Sequence, residues 1–340
     1  MITVTLYWRK DCPECDQAKE NLEVLQSEIP HLLVVLDVDT DSALKIAYHD
    51  IAPVIRVGPY LIHSPFTSKD LKVALAAARD RAESLELSGD VEYLKRIERG
   101  RNVTGTDRLS VWLGKHFMVI FNIVLLIFLG LPFLAPVFMK INAPLPANII
   151  YAIYKPLCHQ FAFRSWFLFG SQTFYPRALA NIPGAETYEK ITGNPTVNPL
   201  QAREFVGNPI VGYKVAICER DVAIYGSILL FGLVFSATGK KFKTPPRFIV
   251  FWILIGMIPM AIDGISQLPS LLPAGQLTGW IPYRESTPFL RTLTGVLLGI
   301  TTAWFVFPVI EETMLETRRV VTRKMAVSSQ INSEPHEKGK

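Results

Sequence analysis

The sequence predicts two folds in one chain: an α/β domain over residues 1–79 and an all-α, multi-span membrane domain over residues 111–312. Three observations predict this division. Strand and helix patterns alternate through the first 79 residues and carry two cysteines one helical turn apart, Cys12 and Cys15. The chain is 49% hydrophobic, with a mean hydropathy of +0.26, too apolar for an ordinary soluble protein of 340 residues. Long apolar runs occupy 111–139, 222–238, 248–262 and 289–310, whereas charges of both signs fill 1–110. The net charge of +5 is not a nucleic-acid footprint, because the basic residues cluster beside the apolar runs, where they report membrane topology. Residues 80–110 predict a charged helical linker, and 313–340 a basic, partly disordered cytoplasmic tail. Met1 opens directly into a strand pattern, so no cleavable secretory signal is expected.

The elements of the first domain follow in order. Ile2–Trp8 is a β-branched, alternating run that predicts a strand. Pro13, at a favoured first helical position, opens a helix over 13–28 with Ala18, Leu22 and Leu25 on one face. Residues 32–38 predict a buried strand, and Asp39-Thr40-Asp41 cap a short helix through Leu44, Ala47 and Tyr48. A proline then precedes a strand in Ile51-Ala52-Pro53-Val54-Ile55-Arg56-Val57-Gly58. It removes a ladder donor, and a cis bond exposing the preceding backbone is one reason to find it there. Tyr60–His63 and the helix 68–79 complete a β-α-β-α-β-β-α order.

The Cys12-Pro13-Glu14-Cys15 stretch is the signature of a dithiol redox site. Residues i and i+3 share a helix face, so a thiolate at Cys12 that attacks a disulfide can be resolved by Cys15. At a helix N-terminus, with Arg9 and Lys10 nearby, Cys12 gains thiolate character, which Glu14 partly opposes. Zinc would need two further close ligands, and none lies near in sequence before His31.

With Pro53 before the third strand, residues 1–79 resemble the thioredoxin superfamily, and most of all its small glutaredoxin-like members. The resemblance implies Cys12 as nucleophile, Cys15 as resolving thiol, and Ala52 and Pro53 as the cis-proline pair that meets substrate backbone. Ser64-Pro65-Phe66-Thr67-Ser68-Lys69-Asp70 stands where glutathione-binding members carry a Gly-Gly pair and an Asp. The implied partners are therefore protein or low-molecular-weight thiols and disulfides in general.

Four spans are expected at 113–137, 221–239, 247–268 and 288–310, each close to the roughly 20 residues a bilayer core requires. The basic residues Arg96, Arg99, Arg101 and Arg108 precede the first span, Lys240, Lys241, Lys243 and Arg247 separate the second from the third, and Arg318, Arg319, Arg323 and Lys324 follow the fourth. All three groups fall on one side, which predicts both termini in the cytoplasm of a cell whose plasma (inner) membrane holds the protein. Outer loop 140–220 opens with an apolar, aromatic stretch from Asn148 to Phe169 that predicts one or two interfacial or re-entrant helices.

At the outer boundary, Cys158-His159-Gln160, Arg164, Cys218, Arg220, Asp221, Tyr225, Asp263, Gln267 and Arg291 converge from distant segments. An ionisable group such as Asp263 at membrane depth is a functional candidate by default. Residues 145–310 resemble an uncharacterised membrane family, the domain of unknown function 2085. The carrying motifs are Leu157-Cys158-His159-Gln160, Arg164-Ser165, Cys218-x-Arg220-Asp221, Ile224-Tyr225-Gly226, Asp263-Gly264 with Gln267, and Arg291 with Thr294-Gly295. A cysteine often stands in that family where Asp221 stands here. Three readings remain open: zinc or a similar ion held by Cys158, His159, Cys218 and Asp221; a Cys158–Cys218 disulfide; or a satisfied polar core with Asp263 paired to Arg291 or Arg220.

Two functions follow. One is a membrane-tethered thiol-disulfide oxidoreductase working through Cys12 and Cys15. The other is a membrane protein whose outer-face polar site binds a metal ion or small ligand, its first domain serving as a regulatory or interaction module. No cofactor is implied apart from that metal.

Overall fold

The computed structural model of the protein describes residues 2–239, 242–244, 246–271 and 283–333. Lys240 and Lys241 of the predicted basic loop and the tail beyond Ser333 lie outside the described residues. The chain forms two compact units: residues up to His116 together with those from Glu312 on, and Phe117–Glu311.

In the first unit the β-branched run forms β1 (Ile2–Trp8), which ends in a turn through Asp11, held at φ 57°. Cys12 then caps α1 (Pro13–Leu25), with Pro13 in the first turn as expected. β2 (His31–Asp37), α2 (Ser42–Tyr48), β3 (Val54–Val57), β4 (Tyr60–His63) and α3 (Ser68–Leu87) follow. The sheet order is β2-β1-β3-β4, with β1 and β2 parallel and the other pairs antiparallel. The Ala52–Pro53 bond is cis. One sheet face presents Val4, Leu6, Ile55 and Val57 to Ala18 and Leu22 of α1 and Leu71 and Leu75 of α3. Burying such aliphatic side chains is the main favourable term in folding.

Two boundaries differ from expectation. α3 runs on past Arg79 to Leu87, and α4 (Val91–Arg101) and the start of α5 (Gly105–Lys140) belong to the same unit, so the charged segment 80–110 is largely helical but continues the first unit. The tail is also helical as far as Ser333. It continues α12 (Pro288–Ser333), because Ala326 packs on the second sheet face with Tyr7, Leu36, Val38, Leu44 and Val54. Asp41, the α2 cap, receives the Arg318 guanidinium at 2.9 and 3.0 Å, and Arg319 Nε donates to the Ala43 carbonyl at 3.2 Å. Two of the tail's basic residues, Arg318 and Arg319, thus hold it down.

In the second unit α5 is followed by α6 (Pro144–Tyr154), β5 (Ser165–Leu168), α7 (Tyr188–Thr192), α8 (Pro199–Glu204), β6 (Gly207–Asn208), β7 (Gly212–Cys218) and α9 (Glu219–Ala237). α10 (Phe248–Phe251), a π-helical turn (Trp252–Met257) and α11 (Ile258–Ile265) make a third apolar helix before α12. Four helices among the described residues are long and apolar enough to cross a membrane, at Gly105–Lys140, Glu219–Ala237, Phe248–Leu271 and Pro288–Ser333. Small residues let α9 and α12 approach closely: a Cβ at Gly299 would lie 2.0 Å from Ser227 Oγ.

The aromatic stretch is only half helical. Asn148–Tyr154 lies in α6, but Ser165 and Phe167 alternate inward on β5 of a three-stranded antiparallel sheet ordered β5-β7-β6. Phe167 joins Phe163, Tyr175, Tyr188, Ala202 and Val211 in a core of its own, so the aromatic rings are spent on packing among themselves.

Candidate functional sites

The first site is built by the end of β1 and the start of α1. Cys12 and Cys15 are joined as a disulfide, with Cα atoms 5.2 Å apart. As the cap of α1, the Cys12 sulfur takes the Cys15 N–H at 3.2 Å, the place a Ser or Asp oxygen occupies in other helices. Cys12 is 5% exposed and Cys15 0%, while Asp11, Pro13 and Glu14 are exposed around them. The pairing of Tyr7 with Val54 puts Ala52 and Pro53 beside the same end of β1 from which the Cys12 turn departs.

Arg9, expected beside the thiol, instead donates to His49 Nε2 at 3.4 Å, and His49 Nδ1 stands 3.3 Å from Asp39. Asp16 accepts from the Trp8 indole at 2.8 Å. Arg9 and Asp16 are thus engaged with His49 and Trp8, and the N-terminus of α1 adds its own positive field at Cys12. A cavity of about 720 Å³ in this unit, lined by Thr3, Arg56, Arg81, Tyr93 and Arg323 among others, lies at the far end of β1 and does not touch the cysteines.

The second site is assembled by tertiary structure. Asp263, 3% exposed, is paired with Arg220, with Arg284 Nη2 at 3.0 Å, and accepts from Ser286 Oγ at 3.0 Å and Gln267 Nε2 at 3.2 Å. Arg291, 2% exposed, donates to Glu219 at 3.1 Å, Gln267 at 3.3 Å and the Phe163 carbonyl at 3.3 Å, and is paired with Glu285. Arg164 Nε donates to Glu285 at 2.9 Å, and Arg177 reaches Glu285 at 3.5 Å. Asp263 therefore pairs with Arg220 and not with Arg291. Five arginines meet Asp263, Glu219 and Glu285, an arrangement that keeps buried charges paired.

Beside this network stand Cys158, which follows α6, and Cys218, which ends β7 and caps α9. Both are free thiols, so no disulfide joins them, and the Cys218 N–H donates to Cys158 Sγ at 3.3 Å. Their sulfurs and an Asp221 carboxylate oxygen lie within 4.8 Å of one another. The bond to Cys158 and burial push the Cys218 thiol well above its ordinary range. His159 is not with them: Gln160, at φ 54°, donates its amide to the Tyr151 carbonyl, and the exposed His159 ring lies 5.4 Å from that of Phe161. Tyr225 interacts electrostatically with Cys158, Cys218 and Asp221 and meets Phe128 edge-on.

Sequence reasoning missed Arg177, Arg284, Glu285 and Lys214, and reached Glu219 only as part of the stretch Cys218-Glu219-Arg220-Asp221, with no role of its own. Lys214 is 1% exposed, lies 5.8 Å from the Tyr151 ring centroid and donates Nζ to the carbonyls of Gln160, at 2.9 Å, and Arg203. Burial pulls its ammonium down to about 7.

Residues 3–76 match the family model described as a glutaredoxin-like domain (DUF836), and residues 203–305 match that of a predicted membrane protein family (DUF2085). An uncharacterized protein of Methanocaldococcus jannaschii is 26% identical over 206 residues, covering 58% of this chain and 94% of that relative. No solved structure matches the chain. The protein thus joins a glutaredoxin-like domain to a DUF2085-type membrane domain, and is a membrane-associated, thioredoxin-like protein.

Proposed function

We propose that this fusion is a membrane-tethered thiol-disulfide oxidoreductase. The carrying observation is the Cys12 sulfur at the cap of α1, taking the Cys15 N–H one turn ahead of its resolving partner. In the reducing direction the Cys12 thiolate attacks a substrate disulfide, one substrate sulfur leaves as a thiol, and Cys15 displaces the second. The Cys12–Cys15 disulfide is left behind, to be reduced by an external dithiol or two monothiols. Ala52 and Pro53 offer the substrate a backbone edge beside Cys12.

Both termini lie in the cytoplasm, on the inner side of the plasma membrane. The arginine-rich flanks of the first and last spans support this, as does the chain leaving the first unit through α5 and returning to it through α12, which calls for an even number of crossings. Substrates are protein or small thiols and disulfides, and nucleic acid is not among the partners.

The test is a redox titration of the full-length protein in detergent, scored by a mass-tagged thiol reagent. A two-electron Cys12–Cys15 equilibrium and a mixed disulfide trapped at Cys12 in Cys15→Ser are expected. A pair that stays locked in one state across cellular potentials, or unchanged disulfide turnover in Cys12→Ser, would reject the reading.

A further inference from the structure

The membrane unit holds two free thiols, Cys158 buried and Cys218 half-buried, that the exchange chemistry does not use. Cys158 and Cys218 stand 60 positions apart and reach each other only because β7 ends against the turn that closes α6. Neither is oxidised, and Asp221, in the first turn of α9, brings a carboxylate oxygen to the same point. We propose that Cys158, Cys218 and Asp221 form a binding site for a thiophilic divalent cation of the zinc class. This proposal is independent of the redox reading at Cys12.

Three features carry it. The first is reach. Around a tetrahedral ion at about 2.3 Å from sulfur and about 2.1 Å from oxygen, donor atoms stand roughly 3.3–3.8 Å apart, so donors already held within 4.8 Å close on an ion by side-chain rotation alone. The second is donor chemistry: two sulfurs and one carboxylate select zinc-like ions over magnesium or calcium, which prefer oxygen alone. The third is support. The Cys218 N–H already donates to the Cys158 sulfur, orienting it as outer hydrogen bonds orient metal thiolates.

Binding forms two metal–sulfur bonds and one metal–oxygen bond, breaks two S–H bonds and releases two protons to solvent, with no change of oxidation state. Three protein donors leave a fourth position for water or substrate, the pattern of catalytic rather than closed structural zinc sites.

The experiment titrates Co²⁺ and Zn²⁺ into the full-length, reduced protein carrying Cys12→Ser and Cys15→Ser, in detergent. Thiolate-to-cobalt charge-transfer absorption, proton release and bound zinc are the readouts. About one ion per chain with two protons released is expected. Cys158→Ser and Cys218→Ser should each abolish the charge-transfer band or halve it with affinity lowered at least about tenfold, and Asp221→Asn should keep the band while weakening binding about tenfold. His159→Ala should change nothing. If the serine variants fail to fold, the Asp221→Asn spectrum decides alone. Absence of stoichiometric binding, or binding that survives in Cys158→Ser and Cys218→Ser with an unaltered spectrum, overturns the site, as does affinity in Asp221→Asn equal to that of its parent.

Discussion

The two cysteine pairs differ in how the chain brings them together. Cys12 and Cys15 are three residues apart on one helix start, joined to each other, and positioned by a cap and a proline. Cys158 and Cys218 come from a helix end and a strand end, remain free, and are held by the fold of the whole segment between the first and second apolar helices. The lesson is that local geometry can be rebuilt by a short segment, while the second pair exists only if α6, β7 and α9 all pack correctly. Disturbing the first pair should change chemistry with little loss of fold. Disturbing the surroundings of the second should cost stability.

The largest expected effect tests the first half of that contrast. Cys12→Ser should lower disulfide turnover roughly a thousandfold or more, because the attacking sulfur is gone, while the melting temperature of the full chain barely moves. Turnover that persists in Cys12→Ser and disappears in Cys218→Ser would reverse the roles of the two pairs.

The second half is tested at Arg291. Replacing it by Met keeps volume but leaves Glu219 buried without the guanidinium it faces, and strips one partner from Glu285. Breaking a buried pair in this way costs about 3–5 kcal/mol, read as a lowered thermal midpoint in detergent. A midpoint within a degree of the parent would show that the network is not what holds this segment together.

Legibility follows the same line. The succession of strands and helices along the first domain, the start of α1 at Pro13 and the four apolar helices are readable in the sequence, because each rests on spacing within a few residues. Arg220 was one of the two partners for Asp263 that the sequence left open, but Arg284 and Glu285 sit in irregular chain with no periodicity to mark them. Lys214 was hidden for a different reason. In a strand with Val215, Ala216 and Ile217 all buried, alternation fails, and a charged residue looks like the solvent-facing partner it is not.

The basic, partly disordered tail expected over 313–340 is helical as far as Ser333, and its arginines carry no sign in sequence of a partner 277 residues away. Asp41→Asn should test its docking. Burial alone would raise the Asp41 carboxyl, but the Arg318 bond, the Ala43 amide and the charges of Arg318 and Lys115 outweigh burial and hold it below the usual range. A lowered folded value contributes stability above the unfolded value of about 3.9 and loses it as pH falls. Asp41→Asn should therefore cost about 1.5–3 kcal/mol at neutral pH and flatten the acid limb of the unfolding curve.

Lys214 gives the opposite sign. Its folded value of about 7 lies below that of a free lysine, so between about pH 7 and 10 the unfolded chain holds the extra proton. Stability should rise with pH across that window, by at most about 1.4 kcal/mol per unit. In Lys214→Met that rise should be absent, whatever the variant's absolute midpoint. A parent curve flat from pH 7 to 10 would mean the ammonium is better solvated than its burial implies.

The smallest effect isolates one long-range bond whose need, though not its partner, is written locally. Pro132 lies inside α5 and has no N–H, so the Phe128 carbonyl one turn earlier has no helical donor. Within an apolar span such a group is costly unless satisfied, and Tyr154 Oη from α6 donates to it at 2.5 Å. Tyr154→Phe should cost about 1–2 kcal/mol in the parent. In a Pro132→Ala background the restored Ala N–H can serve the same carbonyl, and the same substitution should cost only a few tenths. The double-mutant cycle thus separates the hydroxyl's hydrogen bond from the packing of its ring against Phe128, which both backgrounds share. Equal costs in the two backgrounds would mean that the ring, not the bond, fastens α6 to the first span.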